Sequence, residues 1–80
     1  NRKRFINFMD ISLSETKKGI MIEPINVHGL LWLQTHFESS NWESIAEGRV
    51  IIPTKDAQML GKDAISAGIN VTFINTLVNS

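Results

Sequence analysis

The sequence predicts an α+β domain, with a mainly antiparallel sheet in the order β-β-β-α-β-α-β and two helices packed on one face of that sheet. Apolar and polar residues alternate in the first half, as in half-buried strands, whereas the second half contains two segments with helix start and stop signals. A chain of 80 residues, 42% of them hydrophobic, has room for one small core, so residues 1–80 are expected to form a single domain. Because the chain begins at Asn1 rather than Met, an excerpt from a longer chain also fits.

The first two strands are predicted at residues 5–13 and 19–23. In the first, four of the five odd-numbered positions are apolar, which is the period of a strand with one buried face. Residues 14–19 are polar and end in glycine, so they are expected to form a hairpin connection. Pro24 is expected to end the second strand, because proline has no N–H to donate within a sheet.

Residues 26–37 fit two structures. As a helix, Leu30, Leu33 and Phe37 would form only a narrow apolar stripe. As a strand, the odd-numbered residues share a nearly unbroken apolar face, and the segment is rich in β-prone residues. We therefore predict a strand at residues 30–37, which completes a three-stranded antiparallel meander.

The second half is predicted to contain helices at residues 41–47 and 55–67. Ser40 and Glu43 match the capping-box spacing, and Thr54 is placed to cap the second helix. A glycine follows each helix, as expected for a left-handed residue at its end.

Short strands are predicted after each helix, at residues 49–52 and 69–73. The second helix also carries small residues along one edge, which would let its backbone approach a neighbouring element closely. These residues are Ala57, Gly61, Ala64 and Gly68.

Charge and composition argue against several partners and locations. Eight basic residues balance eight acidic ones, so the formal net charge of +0 gives no electrostatic reason to expect nucleic acid or an anionic membrane as the partner. No apolar run approaches the ~18 residues of a membrane span, and the first residues lack a secretory signal pattern. The sequence therefore predicts a cytoplasmic domain without membrane contact.

The sequence contains no motif for catalysis, metal binding or cofactor binding. With no cysteine there is no thiolate nucleophile or Cys-ligated zinc, and no glycine-rich phosphate loop is present. His28 and His36 would lie about 26 Å apart on a strand and about 12 Å apart on a helix, too far to share one ion. We predict a protein that is not an enzyme and has no cofactor, although a Ser-His-Asp arrangement assembled in space, or His36 as a proton shuttle, stays open.

The strongest functional signal is a second apolar face on the predicted sheet. Aromatic and methionine side chains rimmed by polar ones resemble a protein interface, in which a central aromatic residue contributes much of the binding energy. The predicted interface has Trp32 as its anchor, surrounded by Leu30, Phe8 and Met21, with His36 and Gln34 at its polar edge. The sequence thus predicts a small non-catalytic protein-interaction or self-associating regulatory module that binds a protein partner or forms a homo-oligomer.

Three alternatives to the predicted interface remain, two structural and one functional. Trp32 could instead pack in a helical core, or the helices could straddle the sheet. A small nucleic-acid-binding domain is the alternative function, through the basic cluster Arg2, Lys3 and Arg4 beside Phe5. The balanced net charge makes that alternative the weaker one.

Overall fold

The computed structural model describes residues 9–74 and contains a small α+β fold. Four strands form one sheet, and three α-helices and one 3₁₀ turn connect them within this range. The elements are β1 (Ile11–Thr16), β2 (Gly19–Pro24), α1 (Val27–Gln34), the 3₁₀ turn Ser39–Asn41, α2 (Trp42–Ala46), β3 (Val50–Ile52), α3 (Thr54–Ser66) and β4 (Val71–Ile74). The predicted α+β class is confirmed, whereas the predicted order of elements is wrong.

The sheet is mixed, and its strands lie in the order β3-β2-β1-β4. β2 is antiparallel to both β1 and β3, but β4 is parallel to β1. The prediction of a mainly antiparallel sheet therefore missed a parallel strand at one edge. β1 and β3 run in the same direction, because both are antiparallel to β2. Helix α3 connects β3 to β4, and a helical crossover can join parallel strands whereas a hairpin cannot. β4 therefore runs parallel to β3 and to its neighbour β1.

Residues 30–37 are the largest correction, because they belong to helix α1 and the turn after it rather than to a strand. The side chain of Asn26 caps this helix by accepting a 2.9 Å hydrogen bond from the Gly29 N–H. Leu33 is completely buried, and Leu30 and Phe37 pack beside it. A good cap and one buried stripe outweigh the β-propensity of the segment, which depends strongly on context.

The first hairpin is tighter than predicted. β1 extends to Thr16, which pairs with Gly19, so only Lys17 and Lys18 form the turn. The Thr16 hydroxyl stabilises this turn by accepting from the Lys18 N–H at 3.1 Å and donating to the Gly19 carbonyl at 2.7 Å. Residues 5–8 of the predicted first strand lie outside the described residues.

The helices of the second half were predicted well, but their capping side chains were not. The N-cap of α2 is Asn41, the last residue of the 3₁₀ turn that also contains Ser40, and it makes no side-chain cap bond. Thr54 is the first residue of α3 rather than its cap. The glycines after both helices have the expected left-handed conformation, with φ of 70° at Gly48 and 85° at Gly68.

The hydrophobic core lies on one face of the sheet, beneath three helices rather than the predicted two. The sheet and all three helices contribute side chains that are almost completely buried. They are Ile11, Leu13, Ile20 and Ile22 from the strands and Leu33, Ile45, Ala57 and Ala64 from the helices. Of the four small residues predicted to allow a close approach, Ala57 and Ala64 are buried, whereas Gly61 makes only an ordinary contact and Gly68 has no neighbour within 4 Å. None of the helices between residues 9 and 74 is long and apolar enough to cross a membrane.

A candidate interaction groove between α3 and β4

Helix α3 and strand β4 form the walls of an open groove of ≈ 510 Å³. Ile65 on the helix wall and Phe73 on the strand wall are 65% and 53% exposed. Leu13 and Val71 lie at its base, and both belong to or pack against the core. The groove is therefore an exposed continuation of the core.

The topology explains why this groove is open. β3 and β4 lie at opposite edges of the sheet, so α3 must cross over the two central strands to connect them. Its small inward residues, Ala57 and Gly61, line the groove without filling it. A methyl group at Gly61 would lie 3.7 Å from Leu13 Cδ1, an ordinary van der Waals contact. Gly61 is therefore not required by close packing, and it leaves space above Leu13.

The lining of the groove is suited to binding apolar side chains. Among its described lining residues, Lys62 carries the one charge and Gln58 the one side-chain amide, and both lie on α3. The apolar base offers contact area, and the ammonium and amide groups can hold a carboxylate or a main-chain carbonyl at the rim. Apolar surface with a polar rim is typical of protein-binding sites.

Strand β4 also forms one edge of the sheet. β1 occupies one of its sides, and no strand within residues 9–74 pairs with the other. Its residues Val71–Ile74 include no proline and no charged side chain, the features that commonly protect an edge strand. The edge therefore presents main-chain donors and acceptors beside the groove.

A second, smaller groove lies between α1 and α2, with a volume of ≈ 250 Å³. Ile25, Val27 and Leu30 contribute to its lining, together with Ala46 of α2. Of these, Val27 is 65% exposed at the first turn of α1. This groove is half the size of the first and lies beside no unpaired strand, so it is the weaker candidate.

Five of the six predicted interface residues lie within residues 9–74, and the structure does not gather these five on one surface. Leu30 and Trp32 lie on α1 and pack against the core, and the Trp32 and His36 rings lie 4.0 Å apart. Gln34 ends the same helix. Met21 lies on the face of β2 opposite the buried Ile20 and Ile22, hence away from the helices. Phe8 lies outside the described residues.

The remaining predicted residues are the basic cluster near the start of the chain and the two histidines. Arg2, Lys3, Arg4 and Phe5 of the nucleic-acid alternative lie outside residues 9–74. His28 is within α1 and His36 follows it. No group of three metal-ligating side chains comes together within the described part of the chain.

The sequence alone does not reveal the groove, although it predicts two of its parts. It predicts Phe73 on a strand and Gly61 on the small-residue edge of a helix. What it lacked was the order of strands, because an edge position exposes Phe73 and a central one would bury it. Only the pairing of β4 with β1 shows that Phe73 lies at an edge.

Comparison with known proteins adds one result. No curated protein and no solved structure matches the chain. One family model does match it, over residues 12–75, which includes every strand and helix described above except the first residue of β1. This chain belongs to the family described as the cyanobacterial NIF11-like domain.

Proposed function

We propose that this chain is a non-catalytic, self-associating protein-interaction module whose binding surface is the groove between α3 and β4. One observation carries the proposal: Ile65 and Phe73 are both more than half exposed on the two walls of an apolar groove. Large apolar side chains exposed singly need no explanation, but two that line one groove indicate a binding surface.

The free energies of side-chain burial and of association show how much surface a partner must contact. Burying a Phe or Ile side chain completely is worth roughly 1.5–3 kcal/mol each. Association costs roughly 4–15 kcal/mol in lost translational and rotational freedom. Ile65 and Phe73 are already partly buried, so they cannot supply this amount alone. A stable partner must therefore also contact the neighbouring surface, of which the open edge of β4 is the nearest part.

Light scattering across a dilution series tests the proposal. We expect the mass of the wild-type chain to rise with concentration above the monomer value of 9.0 kDa. Phe73→Asp should return it to the monomer value, because a carboxylate in the groove would lose hydration on association. Met59→Asp is the control, because Met59 is 66% exposed on α3, the helix wall of the groove, but does not line the groove.

Circular dichroism should show both variants folded, because both positions are exposed. Equal effects of the two substitutions would place the binding surface elsewhere. A monomer mass for the wild-type chain at every concentration would contradict self-association.

A further inference from the structure

We infer that the groove is occupied by a second copy of this chain, whose β4 pairs antiparallel with β4 about a two-fold axis at Thr72. The inference rests on the proposed function and adds the geometry of the complex. It joins two four-stranded sheets into one continuous sheet with β4 and its copy at the centre.

The two edges of the sheet differ in a way that selects β4. β3 has only three residues, and Pro53 follows it directly. A short strand that ends at proline is a poor template for pairing. β4 has four residues, and neither a charge nor a proline interrupts Val71–Ile74. The side of β4 that no strand within residues 9–74 occupies is therefore the one suited to accept another strand.

The sequence of β4 is complementary to itself in one register. With Thr72 opposite the partner's Thr72, Val71 lies opposite the partner's Phe73, and the reverse pair forms by symmetry. Pairs of threonines, and pairs of an aromatic with a β-branched residue, each contribute roughly 0.2–1 kcal/mol in antiparallel sheets. A foreign strand would have to supply these matching residues, whereas a second copy has them already.

The same register closes the groove. Val71 and Phe73 face the helix side of the sheet, because they are in register with the buried Ile11 and Leu13 of β1. A two-fold axis at Thr72 puts the helices of both copies on the same side of the joined sheet, so the Phe73 side chains come between the two α3 helices. A shift of one residue would put the partner's helices on the other side and leave both grooves open.

Burial on the other face and overall charge agree with pairing of two copies. Ile74, on the face away from the helices, is 41% exposed and would be covered at the same junction. The formal net charge of +0 gives no overall repulsion between copies. Lys62 is exposed at the rim, so its ammonium group can stay in water while its methylene groups cover the junction.

Disulfide cross-linking of single-cysteine variants tests the register. The chain has no cysteine, so every cross-link comes from the introduced one. Thr72→Cys should form a covalent dimer on mild oxidation, because residues opposite each other in an antiparallel pair have Cα atoms about 4.5–5.5 Å apart, within the span of a disulfide. Lys17→Cys at the exposed hairpin turn and Ile51→Cys on the other edge strand are the controls. We expect cross-linking of Thr72→Cys to be at least about tenfold faster than that of either control, because pairing raises the local thiol concentration.

A second measurement covers the case in which Thr72→Cys does not fold. In the proposed register, position 70 lies opposite position 74 of the partner, so an equimolar mixture of Asn70→Cys and Ile74→Cys should give mainly mixed dimers. Fast Thr72→Cys linkage, or mainly mixed dimers, supports the inference. Faster linkage of Ile51→Cys, or mainly self-linked Asn70→Cys and Ile74→Cys, overturns it.

The inference and the proposed function can fail separately. If association is lost in Phe73→Asp but neither cross-linking result is seen, the strand pairing is wrong and the groove remains the binding surface. If the wild-type chain is a monomer at every concentration, both are wrong.

Discussion

The side-chain amide of Asn26 donates a 2.7 Å hydrogen bond to the Asp10 carboxylate, which links the cap of α1 to the residue before β1. The other carboxylate oxygen of Asp10 accepts a 2.9 Å bond from the Asn70 N–H, just before β4. Asn26 also donates to the Met9 carbonyl at 3.1 Å. Asp10 is only 8% exposed, so one buried carboxylate connects three segments that are distant in sequence.

We expect Asp10→Ala to be strongly destabilising. It removes the acceptor of the Asn70 N–H and one of the two acceptors of the Asn26 amide, which keeps only the Met9 carbonyl. Both lost bonds are part-buried and go to a carboxylate, and hydrogen bonds to a charged group contribute roughly 1.5–3 kcal/mol each. Urea unfolding followed by circular dichroism measures the loss. Asp63→Ala, at an exposed position of α3, is the control and should change the free energy of unfolding by less than about 0.5 kcal/mol. Similar values for the two variants would show that the Asp10 hydrogen bonds contribute little.

Substitution of Asn26 separates the helix cap from the amide bonds. Asn26→Ser retains an oxygen that can accept from the Gly29 N–H but loses the amide donor to Asp10, whereas Asn26→Ala loses both. We expect Asn26→Ala to be less stable than Asn26→Ser by about 1 kcal/mol, the usual value of an N-cap. Urea midpoints of the two variants measure the difference, and equal midpoints would show that the cap contributes nothing here.

Two glycine-to-alanine substitutions should have opposite effects. A Cβ at Gly29 would lie 1.9 Å from the Asp10 carbonyl oxygen, so α1 or β1 would have to move. At Gly61 the nearest contact is 3.7 Å, and alanine is preferred over glycine in a helix by roughly 0.5–1 kcal/mol. We expect Gly29→Ala to lower the thermal unfolding midpoint and Gly61→Ala to raise it. A shift in the same direction for both would contradict the packing described for one of these sites.

Trp32→Ala tests two interfaces against each other: the one that the sequence predicts and the one that we propose on the structure. Trp32 packs against the core from α1 and does not line the groove between α3 and β4. Because Trp32 is half-buried, we expect truncation to cost about 2–3 kcal/mol in unfolding free energy, less than a fully buried Trp. Association of the folded protein should be retained. Loss of association with unchanged stability, measured by light scattering and urea unfolding, would instead favour the sequence-based interface.

Residues 26–37 show where local sequence signals were insufficient. A helix and a strand both place apolar residues of this segment on a common face, and β-prone residues favoured the strand. The local cap and the buried stripe favour the helix, and two distant contacts add to them: the bond from Asn26 to Asp10 and the packing of Gly29 against the Asp10 backbone. Both distant contacts involve a residue 16 or more positions earlier, so a local pattern does not reveal them.

Features of the fold that depend on neighbouring residues can be predicted from the sequence. Helix α3 follows from its spacing of small and apolar residues, its end from Gly68, and the end of β2 from Pro24. The tertiary structure alone decided that β4 lies parallel to β1 at an edge and that Phe73 is exposed there. The physical reason is that main-chain hydrogen bonds between strands are nearly independent of side-chain identity, so strand order is set by how distant segments pack together.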